Sequence, residues 1–170
     1  MKSWVLLITS FFCTTQVFGS ECLQHKFKTY TNLQTQWQND STDLVTSKYP
    51  ELSDVAVLYQ KHQLALIQQR FAAFSIYLKV APEKIQKERP INQWVTLSSA
   101  IKEDLSQKHL EFKKALEKVD SFRTALKHED GDKLRKVFRS DILPSPEFKH
   151  LLEAFNSKVE DLNDDSCKEI

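Results

Sequence analysis

The sequence predicts an all-α protein: an elongated antiparallel helical bundle of three long helices plus shorter C-terminal helices, stapled by one disulfide. Three observations carry this. Apolar residues recur at three- and four-residue steps over long stretches, the period of a helix buried along one side. Glycine is almost absent, two in 170 residues, which disfavours sheet-and-turn folds and glycine-rich phosphate loops. The long periodic stretches are interrupted at prolines, beginning with Pro50, Pro82 and Pro90.

The chain opens with a segment set apart from the fold. Met1 and Lys2 form a short basic start, Trp4 to Phe12 is mostly apolar, and Val17-Phe18-Gly19 offers small or aliphatic residues to a signal peptidase. Residues 1–19 therefore read as a cleaved secretory signal, with 20–170 a single helical-bundle domain. Neither Cys13 nor Cys22 has the small preceding residues of a lipoprotein signal. Such a leader implies a periplasmic or secreted protein and argues against nucleic acid as partner.

Removing the leader leaves a formally neutral chain. Lys2 is the one charge lost, so 24 basic residues become 23 against 23 acidic ones. About 150 residues suffice for one domain with a real core. Two cysteines remain, Cys22 and Cys167, near opposite ends of the mature chain. In an oxidising compartment an even pair reads as a disulfide, which requires the chain ends to lie together. The pair has no C-x-x-C arrangement that would suggest redox work.

The first helix is expected from about Glu21 to Ser47, with Leu23, Phe27, Tyr30, Leu33, Trp37 and Leu44 on one stripe. Asn39-Asp40-Ser41 groups three capping residues, so a kink or a new start with Ser41 as N-cap is expected there. The same triplet is a glycosylation sequon, meaningful only in a eukaryotic source. Tyr49-Pro50 ends the helix, and the short connection makes the first two helices antiparallel neighbours.

The second helix, Val55 to Ala81, is the organising element. Val57, Leu64, Phe71 and Leu78 repeat every seven residues, and Gln60, Ile67, Phe74 and Ala81 fill the companion positions, a coiled-coil-like seam. Apolar residues spread beyond that seam, as expected of a helix with neighbours on several sides. Arg70 and Lys79 interrupt it, so no stretch reaches the roughly 20 apolar residues of a membrane span. Gln68, Gln69 and Arg70 read as the strip facing water; the alternative is that they line a polar pocket in the core.

Pro82 to Pro90 is a charged connector with room for one helical turn. A third helix, the longest, is expected from about Asn92 to His128, about 55 Å at 1.5 Å per residue. Ile101, Leu105, Phe112, Ala115, Val119, Phe122 and Leu126 carry its stripe, with Lys108 the one intruder. Its length makes it a candidate homodimer surface. Gly131 is placed to cap it in the left-handed conformation. A short cationic helix, Asp132 to Ser140, follows, with Leu134, Val137 and Phe138 inward and Lys133, Arg135, Lys136 and Arg139 outward. Ser145 as N-cap with Pro146 behind it starts the last helix, which carries Phe148, Leu151, Leu152, Phe155, Val159 and Leu162 into an acidic tail.

No residue set assigns chemistry. The five histidines form no H-E-x-x-H motif, and His150-Leu151-Leu152-Glu153 has the order of a di-metal helix motif reversed and without a second copy. No haem, nucleophile-elbow or paired-carboxylate motif is present, so no cofactor, metal or catalytic residue is expected and the chain reads as a non-enzyme. The Lys133, Arg135, Lys136, Arg139 cluster is the candidate partner-binding patch; the plainer alternative is a solvated face balanced by the acidic tail. The expected role is protein binding to another exported or envelope protein, foremost as a periplasmic inhibitor or immunity-type protein. A periplasmic chaperone or envelope assembly factor is the second expectation. A eukaryotic secreted helical signalling protein is the third, disfavoured by the short turn at Pro50 where long crossovers are needed.

Overall fold

The computed structural model describes residues 15–123, 127–165 and 167. These form six α-helices and no strand: α1 (Thr15–Lys48), α2 (Ser53–Val80), α3 (Ser99–Lys108), α4 (Leu110–Arg123), α5 (Gly131–Val137) and α6 (Pro146–Asp164). Single 3₁₀ turns occupy Pro50–Leu52, Pro82–Lys84 and Ile91–Gln93. The expected leader falls outside the described residues through position 14. None of the described helices is long and apolar enough to cross a membrane.

The helices pair antiparallel, as side-chain contacts along them show. Between α1 and α2, Phe27 stacks on Phe74 with ring centroids 4.1 Å apart, and Gln60 donates to Asn39 at 3.0 Å. Between α2 and α4, Phe74 and Phe112 share one core while Lys118 donates to Gln68 at 3.0 Å. Between α1 and α6, Lys48 pairs with Glu147 at 3.2 Å at one end, and Cys22 is bonded to Cys167 at the other. The expected disulfide thus joins the two ends of the chain.

The three-long-helix expectation is corrected. The stretch from Asn92 to His128 is not one helix. Trp94 and Val95 lie between the Ile91–Gln93 turn and α3 and are buried in the core with α1 and α2, where Trp94 stacks on Phe27 at 6.1 Å and donates its indole N–H to the Arg89 carbonyl at 2.8 Å. Ser98 then starts α3 afresh, its hydroxyl accepting from the Ile101 N–H at 3.3 Å. Lys108, the intruder in the apolar series, is the last residue of α3, and extended His109 separates it from α4. The break keeps Leu105 and Phe112 buried while Lys108 stays in solvent. The longest helix is therefore α1, and no continuous third helix presents itself to a second copy. Leu126 lies outside the described residues.

Two local expectations fail for identifiable reasons. Ser41 starts no new helix: α1 continues through Asn39-Asp40-Ser41, where Ser41 and Thr42 donate to the carbonyls of Trp37 and Gln38, both at 2.7 Å, instead of capping. Gly131 begins α5 and has no positive φ; its N–H reaches the His128 carbonyl at 2.9 Å. By contrast, Ser145 is the N-cap of α6 as expected, accepting from the Phe148 N–H at 3.2 Å.

Of the heptad-seam residues of α2, Phe74 alone is buried; the rest of the buried line is offset from the seam. Ala65, Gln69, Ala73 and Ile76 are buried, whereas Leu64, Phe71 and Leu78 are only half-buried. Small residues let neighbouring helices approach, and the larger ones flank that line. Gln69, at 1% exposure, does not face water as the sequence suggested; Gln68 does.

Two core clusters result. One, toward the disulfide, contains Phe27, Tyr30, Phe74, Tyr77, Trp94 and Phe112. The other, toward the α1–α2 turn, contains Val45, Leu52, Val55, Leu134, Ile142 and Phe148.

Candidate groove at the turn end

The most structured surface feature lies over the second cluster. The last turn of α5 opens directly into a π-type turn, Phe138–Ile142. Such turns widen a helix locally and are frequent at functional sites. Here Leu134 and Ile142 stay buried while Phe138 is partly uncovered and Arg139 is exposed.

The result is a groove of about 350 Å³ between α1, α2, α5 and the start of α6. Its apolar wall is Trp37, Val45, Leu134, Phe138 and Phe148. The rings are fixed by edge packing: Trp37 and Phe138 each lie 5.3 Å from Phe148, tilted by 62° and 86°. Arg135 and Arg139 rim the groove, and no carboxylate lines it among the described residues.

The four cationic residues of the sequence-based patch are all exposed, but they divide. Arg135 is held at 2.7 Å from the Tyr59 hydroxyl and 2.5 Å from Asp132, and the Asp132 hydrogen bond raises its already high pKa. Lys133 turns toward Glu51 at 3.9 Å. Arg135, Lys136 and Arg139 line one concavity outside the groove with Asp132 and Ser140. Lys136 and Arg139 have no carboxylate partner among the described residues.

The expected balance by the acidic tail is not found. The described end of that tail sits at the far end of α6, a helix of 19 residues and about 28 Å at 1.5 Å per residue. There it receives Lys26, a buried lysine whose ammonium donates to the carbonyls of Asn163 and Asp165 and lies 5.7 Å over the Trp94 ring. A cation at a helix C-terminus satisfies its free carbonyls and opposes its dipole. The alternation pattern gave no sign of Lys26.

The groove aromatics were legible only as core. Trp37 and Phe138 were placed on inward faces by helical spacing, but nothing local says that four elements leave them half-covered. His150 and Glu153 are exposed on α6. Among the described residues no three His, Cys, Asp or Glu side chains gather as a metal-ligand set. No protein-family model, curated protein or solved structure matches this chain.

Proposed function

We propose that this is an exported, non-enzymatic protein of antiparallel-bundle type that acts by binding another exported or envelope protein, in the manner of a periplasmic inhibitor or immunity-type protein. One observation carries the proposal: an aromatic groove rimmed by Arg135 and Arg139, with no carboxylate lining it among the described residues. Its occupant is an acidic segment of the partner that inserts an apolar side chain against Trp37, Phe138 and Phe148. Aromatic and arginine side chains dominate the energetics of such contacts, and the cationic rim raises the rate of encounter with an acidic surface.

The test uses the oxidised chain from residue 20 and a fluorescent peptide with one phenylalanine flanked by glutamates and aspartates. Saturable, salt-sensitive binding that is lost in R135E/R139E supports the reading. Equal binding of a lysine-flanked version overturns it. Capture from the envelope fraction of the source then separates the roles. One stoichiometric secreted enzyme that is inhibited on binding supports the inhibitor reading, and many weak clients support a chaperone in its place.

A further inference from the structure

A second cavity, of about 490 Å³, lies between α1, α2 and the segment running from Arg89 through Lys102. Amide side chains take the place here of the groove's aromatic wall. Gln69, 1% exposed in the middle of α2, lines it, and its Nε2 has no hydrogen-bond partner among the described residues. Gln34 lines the same cavity from α1, and its buried Oε1 is likewise unpartnered. Buried amide atoms are rarely left unmade, because each has lost its bonds to water. Here one donor and one acceptor are both available at the same cavity.

The remaining lining extends this pattern. Arg70, Arg89 and Lys102 bring three positive charges, and no carboxylate lines the cavity among the described residues. Arg70 faces the Tyr30 hydroxyl of the aromatic core closely enough for its charge to oppose the rise that burial gives the tyrosine pKa. Six primary amides line the cavity in all, counting Gln34 and Gln69, while Ile67 and Val95 add an apolar wall.

We propose that this cavity binds a hydroxylated small-molecule anion, a sugar bearing one phosphate or carboxylate group. Guanidinium groups bind planar or tetrahedral oxyanions through paired N–H donors. A primary amide both donates and accepts, which matches a hydroxyl group that does the same. The apolar wall supports the carbon face of the ring, and the cavity is within the size range of small-molecule sites. Gln69 and Gln34 give the unmet donor and acceptor to the sugar hydroxyls, and the three cations hold the anionic group. The cavity adjoins the peptide groove, with Gln38 and Gln63 lining both, but its cations and its unpartnered amides are its own.

The test is calorimetric titration of the oxidised chain with glucose 6-phosphate and with glucuronate, using glucose and inorganic phosphate as controls. Saturable binding of at least one sugar anion, at least tenfold tighter than either control, is expected. The two arms decide whether the anion is phosphate or carboxylate. Gln69→Met is expected to weaken binding at least tenfold while leaving thermal stability unchanged or raised, because it removes an unpartnered amide. Arg89→Gln, at an exposed position, weakens binding to a similar degree without touching the core. The proposal is overturned if neither sugar anion binds, if inorganic phosphate binds as tightly, or if both variants bind like the parent chain. A stabilised Gln69→Met chain whose parent binds no sugar anion would mean that the buried amides meet only water.

Discussion

The two ends of this protein bury aromatic residues to different degrees. At the disulfide end Phe27, Phe74 and Phe112 are fully buried, and Phe27, Phe74 and Trp94 form a stack with centroids 4.1 to 6.3 Å apart. At the turn end the buried residues are mostly aliphatic, while Trp37, Tyr59 and Phe138 pack only partly against them. Aromatic surface hidden in a core stabilises the fold. The same surface left half-open is available to a partner, at the expense of stability. The disulfide and Lys26 reinforce the end that is already closed. The groove end is held by exposed pairs, Lys48 with Glu147 and Lys133 with Glu51, which contribute little.

The largest expected effect tests the reinforced end. Cys22 and Cys167 are 145 residues apart in sequence, and the chain-entropy relation gives about 5 kcal/mol for closing so long a loop. The double variant Cys22→Ser/Cys167→Ser is expected to lose stability on that order in urea unfolding. A loss below about 1 kcal/mol would mean that the packed aromatic end holds without its staple.

Core truncations compare the ends directly. Phe74→Ala removes the centre of the stack and is expected to cost about 3–5 kcal/mol, because a closed core cannot collapse around the hole. Leu134→Ala, beside the groove, is expected at the low end of its class, about 2–3 kcal/mol, because the site already opens to solvent. Equal losses in the same urea titrations would break the distinction between a closed end and an open one.

What the sequence made legible follows the range of the forces involved. Helices α1, α2 and α6 were readable because periodicity and caps are local, as Ser145 and Pro146 illustrate. The disulfide was readable because the two cysteines that follow the expected leader have one pairing. The division of the third helix was not, since it depends on Trp94 and Val95 reaching a core built by α1 and α2. Lys108 was its one local trace. Of the candidate site, the four cations were visible but their division was not, because Glu51 and Tyr59, both distant in the chain, decide it together with the local Asp132. Gln69 was read toward water because its neighbours Gln68 and Arg70 are polar. Its burial depends on helix rotation, which three consecutive polar residues do not specify.

A smaller effect sharpens the comparison from the groove side. Ser145 caps α6 by accepting from the N–H of Phe148, three residues on, the aromatic residue shared by the groove and its core. Ser145→Ala is expected to cost about 1 kcal/mol in urea unfolding. Because the cap positions Phe148, the variant is also expected to weaken the acidic peptide more than Ser98→Ala, which removes the exposed cap of α3. Equal peptide affinity in the two variants would detach the cap from the groove.

The smallest effect is a pH dependence, and it again separates regions. Burial raises the pKa of Tyr30 and Tyr77 in the aromatic cluster above the ordinary 10.0, so neither loses its proton near neutrality. Half-buried His62, on α2 between the groove glutamines Gln60 and Gln63, is shifted the other way. Burial, then the charge of Arg123, lowers its pKa from 6.5. The unfolded chain therefore takes up a proton at a higher pH than the folded one. Stability from this residue is fully present above about pH 6.5 and falls as pH drops through that value toward the lower folded pKa. The lowered pKa values of Asp104, held by Lys108, and of Glu147, held by its own backbone N–H and by Lys48, act in the same direction at lower pH. Urea midpoints taken from pH 8 to pH 5, roughly the range of histidine titration, are expected to decline in the parent chain. The decline should be shallower in His62→Gln. An identical slope in both would remove acid sensitivity from the α2–α4 seam and leave packing alone as the difference between the two ends.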